Sequence, residues 1–166
     1  MINQDRVVSD VSKKLILIRH ADAYPLEDNQ EALRDLTEEG IESISEIVPA
    51  LLKLIRKPHK TVIISSDYLR ATKTALLLAS QCGFSYVGEH EFVRTGDFSE
   101  LIKFVVGCKS NSIIVVGHQP FLTEWSELLT GCALPFKKVA AAGFKLDEED
   151  CELLWFMQPK ALRDLG

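Results

Sequence analysis

With 166 residues, 46% of them hydrophobic, the chain fits one domain and can bury a substantial core without disulfide or metal staples. Its 24 acidic and 19 basic side chains leave a formal net charge of -5, which argues against a nucleic-acid binder held by a broad basic field, because phosphate backbones are gripped by clustered Lys and Arg. Any phosphate site must be a local pocket of arginines.

Residues 1–14 are polar and mixed in charge, without the apolar core of a signal peptide. No apolar run approaches the roughly 18 residues needed to span a bilayer. The expectation is a cytoplasmic protein without membrane contact, with residues 1–12 as a short frayed leader and residues 13–166 as a single domain.

Residues 14–18, 61–65 and 113–116 are short, continuous, β-branched-rich runs, the pattern of strands buried on both faces. Helical spacing fills the intervals. Ile41, Ile44, Val48, Leu51, Leu52 and Ile55 recur at three and four residues, with Thr37 as N-cap and Glu38 and Glu39 in the first turn, where the helix dipole favours them. Pro49 is expected to kink or split this helix. A second helix is expected over 69–79. A third opens at Asp97, with Glu100 three positions on in the manner of a capping box, and runs to Val106. Pro120 suits the first turn of a fourth, which Gly131 ends. Residues 139–146 and 152–157 flank the acidic turn Asp147-Glu148-Glu149-Asp150 and read as a hairpin with a solvated tip. The sum is an α/β chain: a single three-layer domain with a mainly parallel central sheet flanked by helices and an antiparallel edge.

The four cysteines, Cys82, Cys108, Cys132 and Cys151, form no Cys-x-x-Cys pair and have no metal-ligand spacing. They read as reduced, mostly buried thiols, with no metal or other cofactor implied. None begins a Cys-x5-Arg signature, since the sixth residue after each is Gly88, Ile114, Lys138 or Met157. Gly83 to Gly88 has the spacing of a phosphate-binding loop, but Glu89 follows where a lysine is needed. His59 and His90 read as exposed and structural, and Trp125, Trp155 and the phenylalanines as packing.

The chemistry-bearing residues gather at predicted strand ends. Arg19-His20 closes the first buried run and Gly117-His118-Gln119-Pro120 closes the late one. The end of such strands is where open α/β sheets bind ligands. Arg70 falls in the first turn of the helix after the second strand, where unpaired N–H groups already favour an anion. Arg34 lies in the long connection after the first strand and can fold over the same edge.

Leu17-Ile18-Arg19-His20, the Ser-Ser-x-x-x-Arg-Ala-x-x-Thr pattern from Ser65 to Thr74, and Gly117-His118-Gln119-Pro120 together resemble the histidine phosphatase superfamily, also called the phosphoglycerate mutase-like family, in its motif order along the whole chain. The short length, Leu33-Arg34-Asp35-Leu36-Thr37-Glu38-Glu39-Gly40, and the ending Trp155 to Pro159 look most like the SixA-type phosphohistidine phosphatases. The resemblance implies a phosphoglycerate mutase-like fold and a metal-independent phosphatase. His20 would be the nucleophile, Arg19, Arg34 and Arg70 the clamps on the phosphoryl oxygens, and His118 a further donor in the transition state.

Two positions depart from the family pattern. Ala21 stands where glycine usually follows the nucleophile, which a small residue can do only if the backbone needs no positive φ. No residue clearly matches the general-acid glutamate of many members; Glu91 and Asp97 are the candidates, and Asp97 also suits a helix cap. An imidazole leaves more readily than an alkoxide, so this gap favours phosphohistidine on a partner protein, a phosphotransfer domain or carrier, as substrate. The alternatives are a phosphatase for small phosphoesters such as sugar or carboxylate phosphates, and a catalytically silent domain that binds phosphorylated partners. Partner identity and oligomeric state are left open by the sequence.

Overall fold

The computed structural model describes residues 12–166, so the expected leader lies outside the described residues except for Ser12. Six strands form one sheet: β1 (Lys13–Arg19), β2 (Thr61–Ser65), β3 (Ser85–Glu89), β4 (Ser112–Gly117), β5 (Ala141–Leu146) and β6 (Cys151–Met157). Their spatial order is β3-β2-β4-β1-β5-β6. The first four in that order run parallel, and β5 and β6 add an antiparallel edge. β1 and β4 lie side by side in the middle, and Leu15, Leu17, Ile18, Ile113, Ile114, Val115 and Val116 are fully buried, as the unbroken apolar runs require.

Helices cover both faces. On one side α1 (Glu38–Leu54), α2 (Leu69–Cys82) and α6 (Pro159–Leu165) pack Ile44, Ile47, Leu51, Ala71, Ala75, Leu78 and Leu162 against Ile16, Ile18, Ile63, Ile114 and Val116. On the other, α3 (Glu91–Thr95), α4 (Phe98–Gly107) and α5 (Phe121–Thr130) pack Val93, Leu101, Val105, Leu122 and Trp125 against Leu15, Leu17, Ile64, Ile113 and Val115. Alternate residues of one strand thus feed opposite cores.

The expected caps at Thr37, Asp97 and Gly131 form, Gly83 adds one that was not foreseen, and the reciprocal capping-box bond from Glu100 is not made, its carboxylate pairing with Lys103 instead. Thr37 Oγ1 accepts from the Gly40 N–H, Asp97 accepts from the Glu100 N–H, and Gly83 and Gly131 close α2 and α5 in left-handed conformation. Pro49 does not split α1, which runs unbroken from Glu38 to Leu54. Pro49 and Ser45, whose carbonyl loses its intrahelical partner, are both exposed, so water can take that hydrogen bond.

Further expectations need correcting. The cysteines are free, but only Cys82 is buried; Cys108 and Cys151 are half-buried and Cys132 is exposed. His59 is exposed, whereas His90 is half-buried, stacked against Phe92 and Phe104 at centroid distances of 5.1 and 4.7 Å. Burial in that aromatic setting lowers its pKa.

Candidate active site

Strand register brings the motifs together. Arg19 pairs with Gly117 across the β1–β4 ladder, so the next residue on each strand, His20 and His118, emerges at the same level. The His20 N–H donates to the Gly117 carbonyl at 3.1 Å, and the two imidazoles stand 5.0 Å apart between centroids. Ser65 pairs with Val116 on the other side of β4, which brings Ser66 to the same edge. Both histidines are buried, at 6% and 7% exposure.

The His20 ring is tied in one tautomer. Nδ1 lies 2.7 Å from the carbonyl of Ala21, an acceptor only, so Nδ1 carries the proton. Arg70 Nε, a donor only, lies 3.3 Å from Nε2, which must present its lone pair. Burial lowers the His20 pKa to about 4; the Ala21 hydrogen bond opposes the shift, and Arg70, Arg19 and Lys138 add to it. Near neutral pH the ring is therefore uncharged, with Nε2 the free nitrogen.

Thr74 locks that ring to its arginine. Its hydroxyl donates to the Arg70 carbonyl at 2.7 Å and accepts from the Ala21 N–H at 3.1 Å, joining the turn after β1 to the first turn of α2. Ala21 is fully buried. It is not among the described non-glycine residues with positive φ, which are Asp28, Asn29 and Val139, so alanine fits there.

His118 Nε2 is hydrogen-bonded to Ser66 Oγ, which also accepts from the Tyr68 N–H at 3.3 Å. If the serine hydroxyl donates, the imidazole proton sits on Nδ1. Burial lowers the His118 pKa to about 3, helped by His20, Arg70, Arg19 and Arg34. Tyr68 packs edge-on against His118 at 5.3 Å, and the Arg70 guanidinium lies 4.8 Å from the centre of the same tyrosine ring.

Arg19 donates through Nη1 to the Phe136 carbonyl at 3.0 Å. Among the described residues, two buried side-chain nitrogens have no hydrogen-bond partner, Arg19 Nε and His118 Nδ1. Both belong to this cluster. An unmade buried hydrogen bond costs about 1–3 kcal/mol, so each nitrogen is open to a further polar partner.

Arg34 does reach the edge, carried by the connection after β1. Its Nε donates to the Tyr24 carbonyl at 2.7 Å and its Nη1 to Glu31 Oε1 at 3.0 Å. Glu91 and Asp97 make no hydrogen bond to the cluster. Glu91 is exposed and paired with Arg94, and the Asp97 side chain is spent on its cap. The residues missed by the sequence reading are Glu31, whose carboxylate meets both Arg34 and Arg70, and Lys138, which pairs with Asp22. Ser66 and Thr74 were within the quoted pattern but had no role assigned; the four-residue step from Arg70 to Thr74, one helical turn, was their available signal.

A cavity of about 750 Å³ opens at the other end of the parallel strands, against Lys14, Thr61 and Ser112, and none of the cluster lines it. The chemistry-bearing edge is the carboxyl end.

The strand order and helix placement have known counterparts. The protein histidine phosphatase SixA, solved with tungstate, superposes with a TM-score of 0.77 at 23% identity over 90% of this chain and 99% of that one. The chain has the phosphoglycerate mutase-like fold. A phosphoglycerate mutase from Bacillus anthracis shares the fold with a TM-score of 0.74 at 13% identity, covering 94% of this chain and 97% of its own. A mycobacterial glucosyl-3-phosphoglycerate phosphatase, solved with VO3, does so at 0.65 and 14% identity over 86% and 98%. No family model matches the sequence, and no curated protein matches it. The phosphoglycerate mutase-like fold, expected from three short motifs, is thus carried by a sequence only 13–23% identical to these counterparts.

Proposed function

We propose that the chain is a metal-independent phosphatase that works through a phosphohistidine intermediate on His20, and that its substrate is phosphohistidine on a partner protein. The observation that carries this reading is the His20 ring, uncharged and fixed by Ala21 so that Nε2 holds its lone pair beside Arg70.

In the first step the Nε2 lone pair attacks phosphorus, a new N–P bond forms, and the N–P bond to the substrate imidazole breaks. That imidazole takes a proton from water as it leaves. In the second step water attacks the phosphorus, the bond to Nε2 breaks, and inorganic phosphate departs with the ring neutral again. Arg19, Arg70 and Arg34 neutralise the phosphoryl oxygens, with Arg19 Nε and His118 Nδ1 as buried groups that gain partners there. These side chains supply the charge that a metal ion would otherwise bring.

Glu91 and Asp97, the carboxylates first considered as acid, are engaged elsewhere. With neither of these carboxylates placed as a proton donor, an imidazole leaving group suits the site better than an alkoxide, which supports the phosphoprotein substrate. Hydrolysis of small phosphoesters is the second reading, supported by the shared fold of the glucosyl-3-phosphoglycerate phosphatase.

Rapid-quench labelling with a histidine-phosphorylated carrier, in chelator, tests the proposal. The wild type is expected to trap acid-labile phosphoenzyme, and His20→Ala none. Turnover retained by His20→Ala would remove the nucleophile. A strong preference for a small ester over the carrier would reverse the order of substrates, and phosphate-dependent binding without any phosphoenzyme would make the domain a binder.

A further inference from the structure

The connection between the bridged residues Ala23 and Leu36 carries a carboxylate into the arginine cluster. Glu31 Oε1 accepts from Arg70 Nη2 at 2.7 Å and from Arg34 Nη1 at 3.0 Å, and the Glu31 carbonyl accepts from Arg70 Nη1 at 2.9 Å. All three nitrogens of Arg70 are therefore engaged, Nε by His20 and both Nη by Glu31. A carboxylate and a phosphoryl group make the same charge-assisted hydrogen bonds to guanidinium. Held against the same two cations, the two anions would also repel each other.

We propose that Glu31 is a resident competitor for the phosphoryl group, holding Arg70 and Arg34 until an incoming oxyanion exchanges with it. The inference rests on the reading of these arginines as phosphoryl ligands. The segment that carries Glu31 is suited to the exchange. Residues 24–30 are all exposed, Leu26 and Leu33 leave 50% and 63% of their surface in solvent, and the turn passes through left-handed Asp28 and Asn29. Little apolar burial resists its displacement. The competitor acts on every oxyanion alike, so inorganic phosphate is held more loosely after the reaction and product inhibition is weakened.

The test compares wild type, Glu31→Gln and Glu31→Ala. Tungstate binding is measured by calorimetry, inhibition by inorganic phosphate is measured, and KM and kcat are read separately with p-nitrophenyl phosphate. Removing the negative charge is expected to tighten tungstate and phosphate on the order of tenfold, the worth of about one charge-assisted hydrogen bond. KM should fall by a similar factor without a rise in kcat. A residue that merely shaped the arginines would give the opposite sign, so unchanged or weaker oxyanion binding in both variants overturns the proposal. If the wild type binds tungstate and Glu31→Gln binds it no better, only the role of Glu31 fails. If neither binds it, the phosphoryl site fails as well.

Discussion

Two uncharged buried imidazoles make the stability of the fold depend on pH in a way that can be calculated. Their native pKa values, about 4 for His20 and about 3 for His118, lie below the ordinary 6.5. As pH falls through 6.5 the unfolded chain binds protons at these positions and the native chain does not, so stability decreases with acidification until the native values are reached. Each ring contributes a slope of about 1.4 kcal/mol per pH unit in that window. Between pH 7 and pH 4.5 the two together remove about 5 kcal/mol, comparable with the whole stability of a small domain. Their mutual repulsion hardly enters the sum, because in this range His118 stays neutral in the native state and His20 starts to charge only at the lower end. His90, lowered by its aromatic neighbours, adds in the same direction, whereas the lowered carboxylates Asp22 and Asp35 act further down in pH. Urea unfolding followed by tryptophan fluorescence at half-unit pH steps gives the slope. A double replacement, His20→Asn with His118→Asn, should flatten most of it. A wild-type slope that is flat or inverted, or one that survives in the double variant, would refute the assignment of both rings as neutral.

Two substitutions probe the supports of the site and the sheet. Thr74→Val leaves the Ala21 N–H and the Arg70 carbonyl without their shared hydroxyl; it is expected to cost about 1–3 kcal/mol in urea unfolding and to lower kcat/KM on the order of tenfold through loss of alignment, with Thr74→Ser restoring both. Gly143→Ala places a methyl group 2.5 Å from the Trp155 indole; it is expected to lower stability by about 1–3 kcal/mol and to shift the emission of Trp155.

What could be read in the sequence follows from how each residue is held. β1, β2 and β4 are continuous apolar runs because both faces are buried, and such runs carry their own signal. The site histidines and Arg70 are legible because they sit at fixed offsets from those strands. β3 was missed: Ser85, Val87 and Glu89 are exposed on an edge strand, and its place comes from pairing with β2 rather than from its own pattern. His90 was misjudged because its aromatic partner Phe104 comes from α4, beyond the local stretch. Glu31 gave no signal either. It stands three residues before Arg34, which any surface ion pair would also satisfy, and its contact with Arg70 spans 39 residues of chain.

The β1–β4 register has a consequence for how such a protein can change. His20 and His118 are each one residue beyond a paired position, Arg19 and Gly117. Adding or deleting a single residue in either strand would turn a histidine to the opposite face and shift it by about 3.3 Å. Length variation is therefore barred from the middle of the sheet. It remains open in the Asp147–Asp150 turn and in residues 24–30, all of them exposed. The loops at the carboxyl end of the sheet can change in length while the two imidazoles stay where the ladder sets them.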